Sequence, residues 1–318
     1  MLAATRTDQY YPSVDWLAEW CREQLGAAPA DVLFRLQQIS TVIGLRLADG
    51  REVVVKARED DGRAASCVAA QAHLAERGFP CARPLTPATT VDGADHAPLA
   101  VHAEELRAGG EVMHGGSPGV AVRYARVFAR LMAELAGVTV PPPLPNPRWA
   151  RWDHTDPGPW PAIDVLDDLD QAAVPSHLAG LASRVRERIL AAGLPSVLGH
   201  ADFEAQNLRW HGSRIWAVHD WDSLAWQPEA TLAGAAGAAF SSSGQPTLAP
   251  IESTEAFLST YQELRGRPFT TGEREVAWAA SLWTAVHNAR WEALHGDPPV
   301  SGAQLEAQAA ERLRRAGA

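Results

Sequence analysis

Apolar positions recur along this chain with two periods. Val32 to Gln37, Thr41 to Leu47 and Arg51 to Ala57 alternate or run together in β-branched residues, which predicts three strands. Asp49-Gly50 is a tight-turn pair between the last two, so the strands form an antiparallel meander. A helical period covers Ser13 to Gly26, with Trp16 and Trp20 one turn apart as packing residues, and another runs from about Gly62 to Arg77 before Gly78-Phe-Pro80. Leu85 to Glu104 holds a turn of Gly, Asp and His and a short apolar strand, Pro98 to Ala103. After Gly109-Gly110 and Gly115-Gly116 the period is mostly helical. Helices are predicted over Pro118 to Ala136, Ser176 to Ala192, Glu229 to Phe240 and Ser253 to Arg265, the third rich in Ala and Gly for close packing. Thr270-Thr-Gly-Glu273 is a capping box that opens a long helix to about His295, and Ser301-Gly-Ala-Gln304 is expected to cap a last one. Val140 to Pro147 reads as extended polyproline-like chain. One further hairpin is predicted, Leu208 to Trp210 and Arg214 to Val218 about the turn His211-Gly212-Ser213. The fold class is α+β, a small antiparallel sheet followed by a mainly helical region.

Composition narrows the function classes. A chain of 318 residues is long enough for two domains. Its net charge of −10 argues against nucleic acid as a partner and suits a cationic small molecule. Cys21, Cys67 and Cys81 lack metal-ligand spacing and, being three, leave one thiol over, which points to a reduced cytoplasm. The N-terminus has no apolar leader and no run is long enough to span a membrane. One feature of the basic residues stands out: all are arginine except Lys56, at the end of Val53-Val-Val-Lys-Ala57. A lysine that persists in a composition so depleted of lysine marks either a position where ammonium chemistry is wanted or a chance survivor, a surface lysine at a strand end.

The chemistry concentrates in residues 198–223, LGHADFEAQNLRWHGSRIWAVHDWDS. His200, Asp202 and Asn207 stand on one side of the second predicted hairpin, and Asp220 and Asp222 on the other. A hairpin holds its ends close, so Asp202 and Asn207 lie near Asp220. Two carboxylates and an amide oxygen converging there suit Mg²⁺, which prefers oxygen ligands and takes phosphate as a further one. Either motif alone reads equally well as ordinary loop acids.

The spacing H-x-D-x-x-x-x-N, then a strand pair, then D-x-D resembles the aminoglycoside phosphotransferase and choline kinase family, small-molecule kinases of protein-kinase-like fold. The resemblance implies a two-lobed molecule, with residues 1–104 as a nucleotide-binding N-lobe with hinge. Residues 105–318 would form a helical C-lobe with catalytic loop and acceptor pocket. It implies Asp202 as the base for the attacking hydroxyl, Asn207 and Asp220 as Mg²⁺ ligands, and ATP or GTP as donor. His200 becomes a loop-holding residue, Asp222 a loop-fixing carboxylate next to the substrate site, and Lys56 the phosphate-binding lysine. Ala201 stands where the family usually has Gly.

Two parts of the N-lobe also depart from the family pattern. The loop Gln38-Ile-Ser-Thr41 has no glycine, leaving Ser40 and Thr41 to offer hydroxyls and amides to phosphate. The helix after the third strand should carry a Glu to pair with the lysine, yet Cys67, Ala70 and Gln71 occupy its middle. Glu59 or Asp60 then substitutes, or phosphate alone orients Lys56, or the nucleotide site is impaired. By family order the C-terminal helices wall the acceptor pocket, which nominates Trp283, His287, Asn288 and Glu292. The stretch from Arg148 to Asp170 interleaves Trp149, Trp152 and Trp160 with six aspartates, and reads either as a surface for an amine-bearing ligand or as an anchored loop. The implied activity is phosphate transfer to the hydroxyl of a small, cationic substrate, with antibiotic inactivation as the first expectation. A metabolic kinase of choline or an amino sugar comes next. Two further alternatives are a catalytically weak nucleotide-binding regulator and a transition-metal hydrolase using His200, Asp202, Asp220 and Asp222.

Overall fold

The computed structural model describes residues 16–37, 40–92, 97–140, 144–243 and 247–318, and of residues 164–165 the backbone alone. Expectations for residues 13–15, 38–39, 93–96 and 141–143 lie outside this range. The described residues fall into two units, one from 1–72 and 82–108, the other from 73–81 and 109–318.

The first unit is organised on a five-stranded antiparallel sheet in the order β1-β2-β3-β5-β4, from β1 (Pro29–Gln37), β2 (Thr41–Leu47), β3 (Glu52–Glu59), β4 (Thr89–Val91) and β5 (Leu99–Glu105). The meander is the predicted one, and Gly50 takes the left-handed conformation its turn demands (φ 86°). The unanticipated partner is β5, which lies beside β3 in a register that sets Lys56 opposite His102 and Val54 opposite Glu104. Side chains alternate between the faces of a strand. Val53, Val55, Ala57, Val101 and Ala103 therefore share one face, where they form the apolar core with Leu17, Trp20, Cys21 and Leu25 of α1 (Leu17–Leu25). Val54, Lys56, His102 and Glu104 share the other. The unit also holds most of α2 (Ala64–Glu76).

The second unit is mainly helical: α3 (Pro118–Leu135), a short α4 (Asp164–Asp167), α5 (Ser176–Ala191), α6 (Glu229–Ala239), α7 (Ile251–Arg265), α8 (Thr271–His295) and α9 (Val300–Ala316). The buried face of α3 carries Tyr124, Phe128 and Leu131, as its apolar stripe predicts, with Phe128 against Phe203, Phe257 and Tyr261. Thr270 and Glu273 form the expected capping box at the head of α8. The head of α9 corrects the reading of Ser301 as a cap: the amides of Ser301 and Gly302 donate to the Glu292 carboxylate at 2.7 and 3.2 Å. The small residues of α6 let it press on α8, so that a Cβ on Gly234 would sit 2.7 Å from the Ala277 carbonyl carbon and nearer still to its oxygen. No helix among the described residues is long and apolar enough to cross a membrane.

Candidate active site

Two strand pairs frame residues 198–223. The predicted hairpin is present as β7 (Leu208–His211) and β8 (Arg214–Val218). Around it, β6 (Ser196–His200) pairs with β9 (Leu224–Pro228), with His200 opposite Leu224, and the Ala201 amide donates to Ser223 at 2.8 Å. The segment is thus clamped at both ends, and the short connections that carry the acids are held between two ladders.

Within this frame His200 is buried and fully used. The Asp202 amide donates to its Nδ1 at 3.3 Å, which makes that nitrogen the acceptor and assigns the ring proton to Nε2, 3.1 Å from the His219 carbonyl. The Trp221 indole, donating to Val218, stacks edge-on against the same ring at 5.6 Å. A histidine with both nitrogens committed to the main chain of its own segment keeps neither for a metal. His200 is thereby withdrawn from the donor set that the hydrolase alternative required.

Asp202 and Asn207 do meet. The Asn207 NH₂ group donates to the Asp202 carboxylate at 2.7 Å and to its main-chain carbonyl at 2.9 Å, while the His219 amide donates to the Asn207 carbonyl at 2.8 Å. This leaves Asn207 Oδ1 as the atom able to ligate a cation. Asp220 has φ 61°, the left-handed region that Asp tolerates better than most residues, alone among the described non-glycine residues. The Ser223 hydroxyl donates to its carboxylate at 2.7 Å, and the Ser223 amide to its carbonyl at 3.0 Å, which together fix the turn. Asp222 is buried in the same turn.

Burial drives the Asp202 pKa well above the usual carboxylate range, and the charges of Glu204 and Asp220 add to the rise, against the opposing bond from Asn207. Glu204, absent from the sequence expectations, is itself buried and raised, accepts a bond from Gln206, and lines a recess of about 10 Å³ with Thr284, Asn288 and Ser301. The signal was present as a carboxylate two residues after Asp202. Carboxylates that repel one another beside an amide oxygen fit a hard divalent cation: a positive charge taken up by Asp220 and Asn207 would relieve the repulsion that Asp202 feels.

The other predicted residues divide. Asn288 lines the recess beside Glu204. Trp283 and His287 are neighbours on α8, rings 4.5 Å apart, with burial holding the imidazole down at about 4. Glu292 has the capping role described above. The Trp- and Asp-rich stretch folds against the same helix: Trp160 meets His287 edge-on at 5.2 Å, and Asp167 accepts from Arg290 at 2.8 Å. Asp156 and Asp170 accept from main-chain amides of their own loops. Those three acids hold the loop, which favours the anchored-loop reading for them.

In the first unit, Lys56 is buried and its Nζ lies 3.1 Å from Glu104. Neither Glu59 nor Asp60 is the partner: Asp60 accepts from Thr90 and the Gly62 amide, and Glu59 is exposed. The carboxylate missing from α2 stands on β5. The Thr41 hydroxyl donates to Gln37 at 2.8 Å, and Ser40 precedes it at the start of β2.

Comparison with known proteins identifies the family and the fold. The sequence model of the phosphotransferase enzyme family matches residues 36–267. A search of curated proteins finds no match. Among solved structures, the chain resembles an amicoumacin kinase in complex with AMP-PNP, Ca²⁺ and Ami (12% identity, 92% of this chain and 89% of that one, TM-score 0.60). It also resembles a microcompartment-associated aminopropanol kinase (15%, 95% and 94%, TM-score 0.61). A third likeness is to an aminoglycoside phosphotransferase from Alicyclobacillus acidocaldarius (14%, 93% and 94%, TM-score 0.52). At these identities the likeness is one of fold, the α+β protein-kinase-like fold of small-molecule kinases. With 232 of its 318 residues inside the family match (36 through 267), the chain belongs to the phosphotransferase enzyme family.

Proposed function

We propose that this protein transfers the γ-phosphate of ATP or GTP to a hydroxyl group of a small, amine-bearing molecule. The observation that carries the reading is the contact of Asp202 with Asn207 in a clamped loop, with the charge of Asp220 acting on Asp202. That is the side-chain set a phosphoryl-transfer site requires. In this reading residues 1–104 serve the nucleotide, and residues 105–318 carry the catalytic loop and the acceptor pocket.

Asp202 orients the acceptor hydroxyl and takes its proton as the oxygen bonds to phosphorus and the bond to the departing diphosphate breaks. Its raised pKa makes it a better proton acceptor than an exposed aspartate once the neighbouring negative charge is balanced. Asn207 Oδ1 and the Asp220 carboxylate would hold Mg²⁺, which supplies charge neutralisation at the transferring group. Lys56 binds phosphate oxygens, with Ser40 and Thr41 at the adjoining strand. His200 keeps the loop in register. A net charge of −10 and the buried Glu204 favour a cationic acceptor, and aminopropanol and aminoglycosides, named for two of the structural relatives, each join an amine to a hydroxyl. Buried thiols at Cys21, Cys67 and Cys81 suit the cytoplasm.

The test is diphosphate release from Mg-ATP and Mg-GTP with a panel of aminoglycosides, other hydroxylated antibiotics, amino alcohols, choline and amino sugars. Release should depend on one acceptor class and vanish in Asp202→Asn, with nucleotide affinity retained. Unchanged turnover in that variant would remove Asp202 from the mechanism.

A further inference from the structure

The family pattern leaves Lys56 without its acid, because Gln71 stands in the middle of α2 where a glutamate is expected. The sheet supplies one. Glu104 lies two residues along β5 from His102, the residue opposite Lys56, so it is the diagonal neighbour of Lys56 on the same face. The lysine chain spans that diagonal, and Nζ sits 3.1 Å from one carboxylate oxygen of Glu104. The other oxygen accepts from the Gln71 amide at 2.7 Å, and the same Gln71 nitrogen reaches the Ala82 carbonyl at 2.9 Å. All three side chains are buried, with Lys56 8%, Gln71 1% and Glu104 3% exposed.

We infer that Glu104 is the positioning residue for Lys56, and that Gln71 has become the tether of that carboxylate instead of the lysine's own partner. This rests on the reading of Lys56 as the phosphate-binding lysine. The arrangement has a mechanical consequence. An acid carried by a helix holds its lysine only while the helix is docked. An acid carried by the adjacent strand is held by the backbone ladder that also holds the lysine, since β3 and β5 pair continuously from Val53–Glu105 to Glu59–Leu99. Lys56 is therefore set for phosphate in the absence of nucleotide, and the position of α2 tunes Glu104 only through a neutral amide. Burial opposes a charged Glu104, but Lys56, His102 and Gln71 outweigh it and hold the carboxyl below its usual pKa, so Glu104 faces Lys56 as a carboxylate at neutral pH.

The experiment is calorimetric titration of Mg-ATP and Mg-GTP, and of adenosine and guanosine, into the full chain and its variants, each shown folded by its melting curve. Lys56→Met should weaken the preferred Mg-nucleotide by about tenfold or more while leaving the nucleoside unchanged. Glu104→Gln should do the same, and the double variant should be no weaker than Lys56→Met alone. Glu104→Asp, which keeps the charge but shortens the reach, should give a smaller loss of the same kind and serves if Glu104→Gln does not fold. Gln71→Glu/Glu104→Gln moves the acid back to the helix and should recover most of the affinity. A weakened Lys56→Met beside a wild-type Glu104→Gln or Glu104→Asp overturns the role of Glu104 and leaves Lys56 standing. Additive losses in the double variant overturn it too. Wild-type binding by Lys56→Met overturns the phosphate role of Lys56, and the inference with it.

Discussion

Removing Lys56 leaves a bare carboxylate in the first unit, and the size of that penalty can be worked from the structure. At 3.1 Å the Lys56–Glu104 attraction is about 5 kcal/mol for an effective dielectric of roughly 20. Desolvating the two ions costs several kcal/mol each, so the intact pair adds little net stability. Breaking it is different. In Lys56→Met the Glu104 carboxylate stays buried with only Gln71 and His102 to meet it, and the expected loss is about 3–5 kcal/mol. Glu104→Gln should lose a comparable amount through the stranded ammonium, whereas the double variant, with neither charge, should lie within about 1 kcal/mol of wild type. Urea unfolding without nucleotide at neutral pH measures all four proteins. The sign of the pH dependence adds a second check. In wild type Glu104 is held below its usual pKa, so its contribution is present above the carboxylate range and fades as pH falls through the folded value. Without Lys56, burial raises that pKa, and Lys56→Met should regain stability relative to wild type on acidification, with protonation of the facing His102 acting in the same direction. A double variant as unstable as the sum of the singles, or a Lys56→Met deficit that does not shrink with acid, would refute the reasoning.

Two other expectations follow from local geometry. Gly234→Ala places a methyl against the backbone of α8, which no rotamer change can relieve, so the roughly 1 kcal/mol of helix propensity gained is exceeded by overpacking and the variant should melt lower. Gly180→Ala, in α5 with nothing within 4 Å of the new methyl, should gain up to about 1 kcal/mol, and the opposite order of the two melting temperatures would discredit the α6–α8 contact. Asp220→Asn keeps a residue that tolerates φ 61° while removing the charge, and titrations with and without Mg²⁺ should show nucleotide binding that no longer responds to the metal. Persisting Mg²⁺ dependence would exclude Asp220 as a ligand.

Local chemistry was readable from the chain, and pairing between distant segments was not. The meander of β1 to β3 declared itself through β-branched alternation and Asp49-Gly50, and α8 through its capping box. The juxtaposition of Asp202 and Asn207 followed from four intervening residues and the hairpin behind them. The partner of Lys56 could not be found this way, because Glu104 is 48 residues further on and its proximity depends on the β3–β5 register. Glu59 and Asp60 are near Lys56 along the chain, but it is the sheet that brings an acid to its ammonium. The β6–β9 pair escaped for the same reason, since its strands are short and separated by the hairpin. Ser301 is a good cap by type, but its amide is met by a carboxylate from the preceding helix, a choice only the packing of α8 and α9 decides.

The central claim is that Asp202 acts chemically on an acceptor hydroxyl. Its most direct test is acceptor-dependent diphosphate release by wild type and Asp202→Asn, each at saturating Mg-nucleotide and with nucleotide affinity measured in parallel. The account predicts release that requires one amine-bearing, hydroxylated acceptor and falls by orders of magnitude in the variant while nucleotide affinity holds. Equal release from both proteins, or release indifferent to every acceptor, would contradict it.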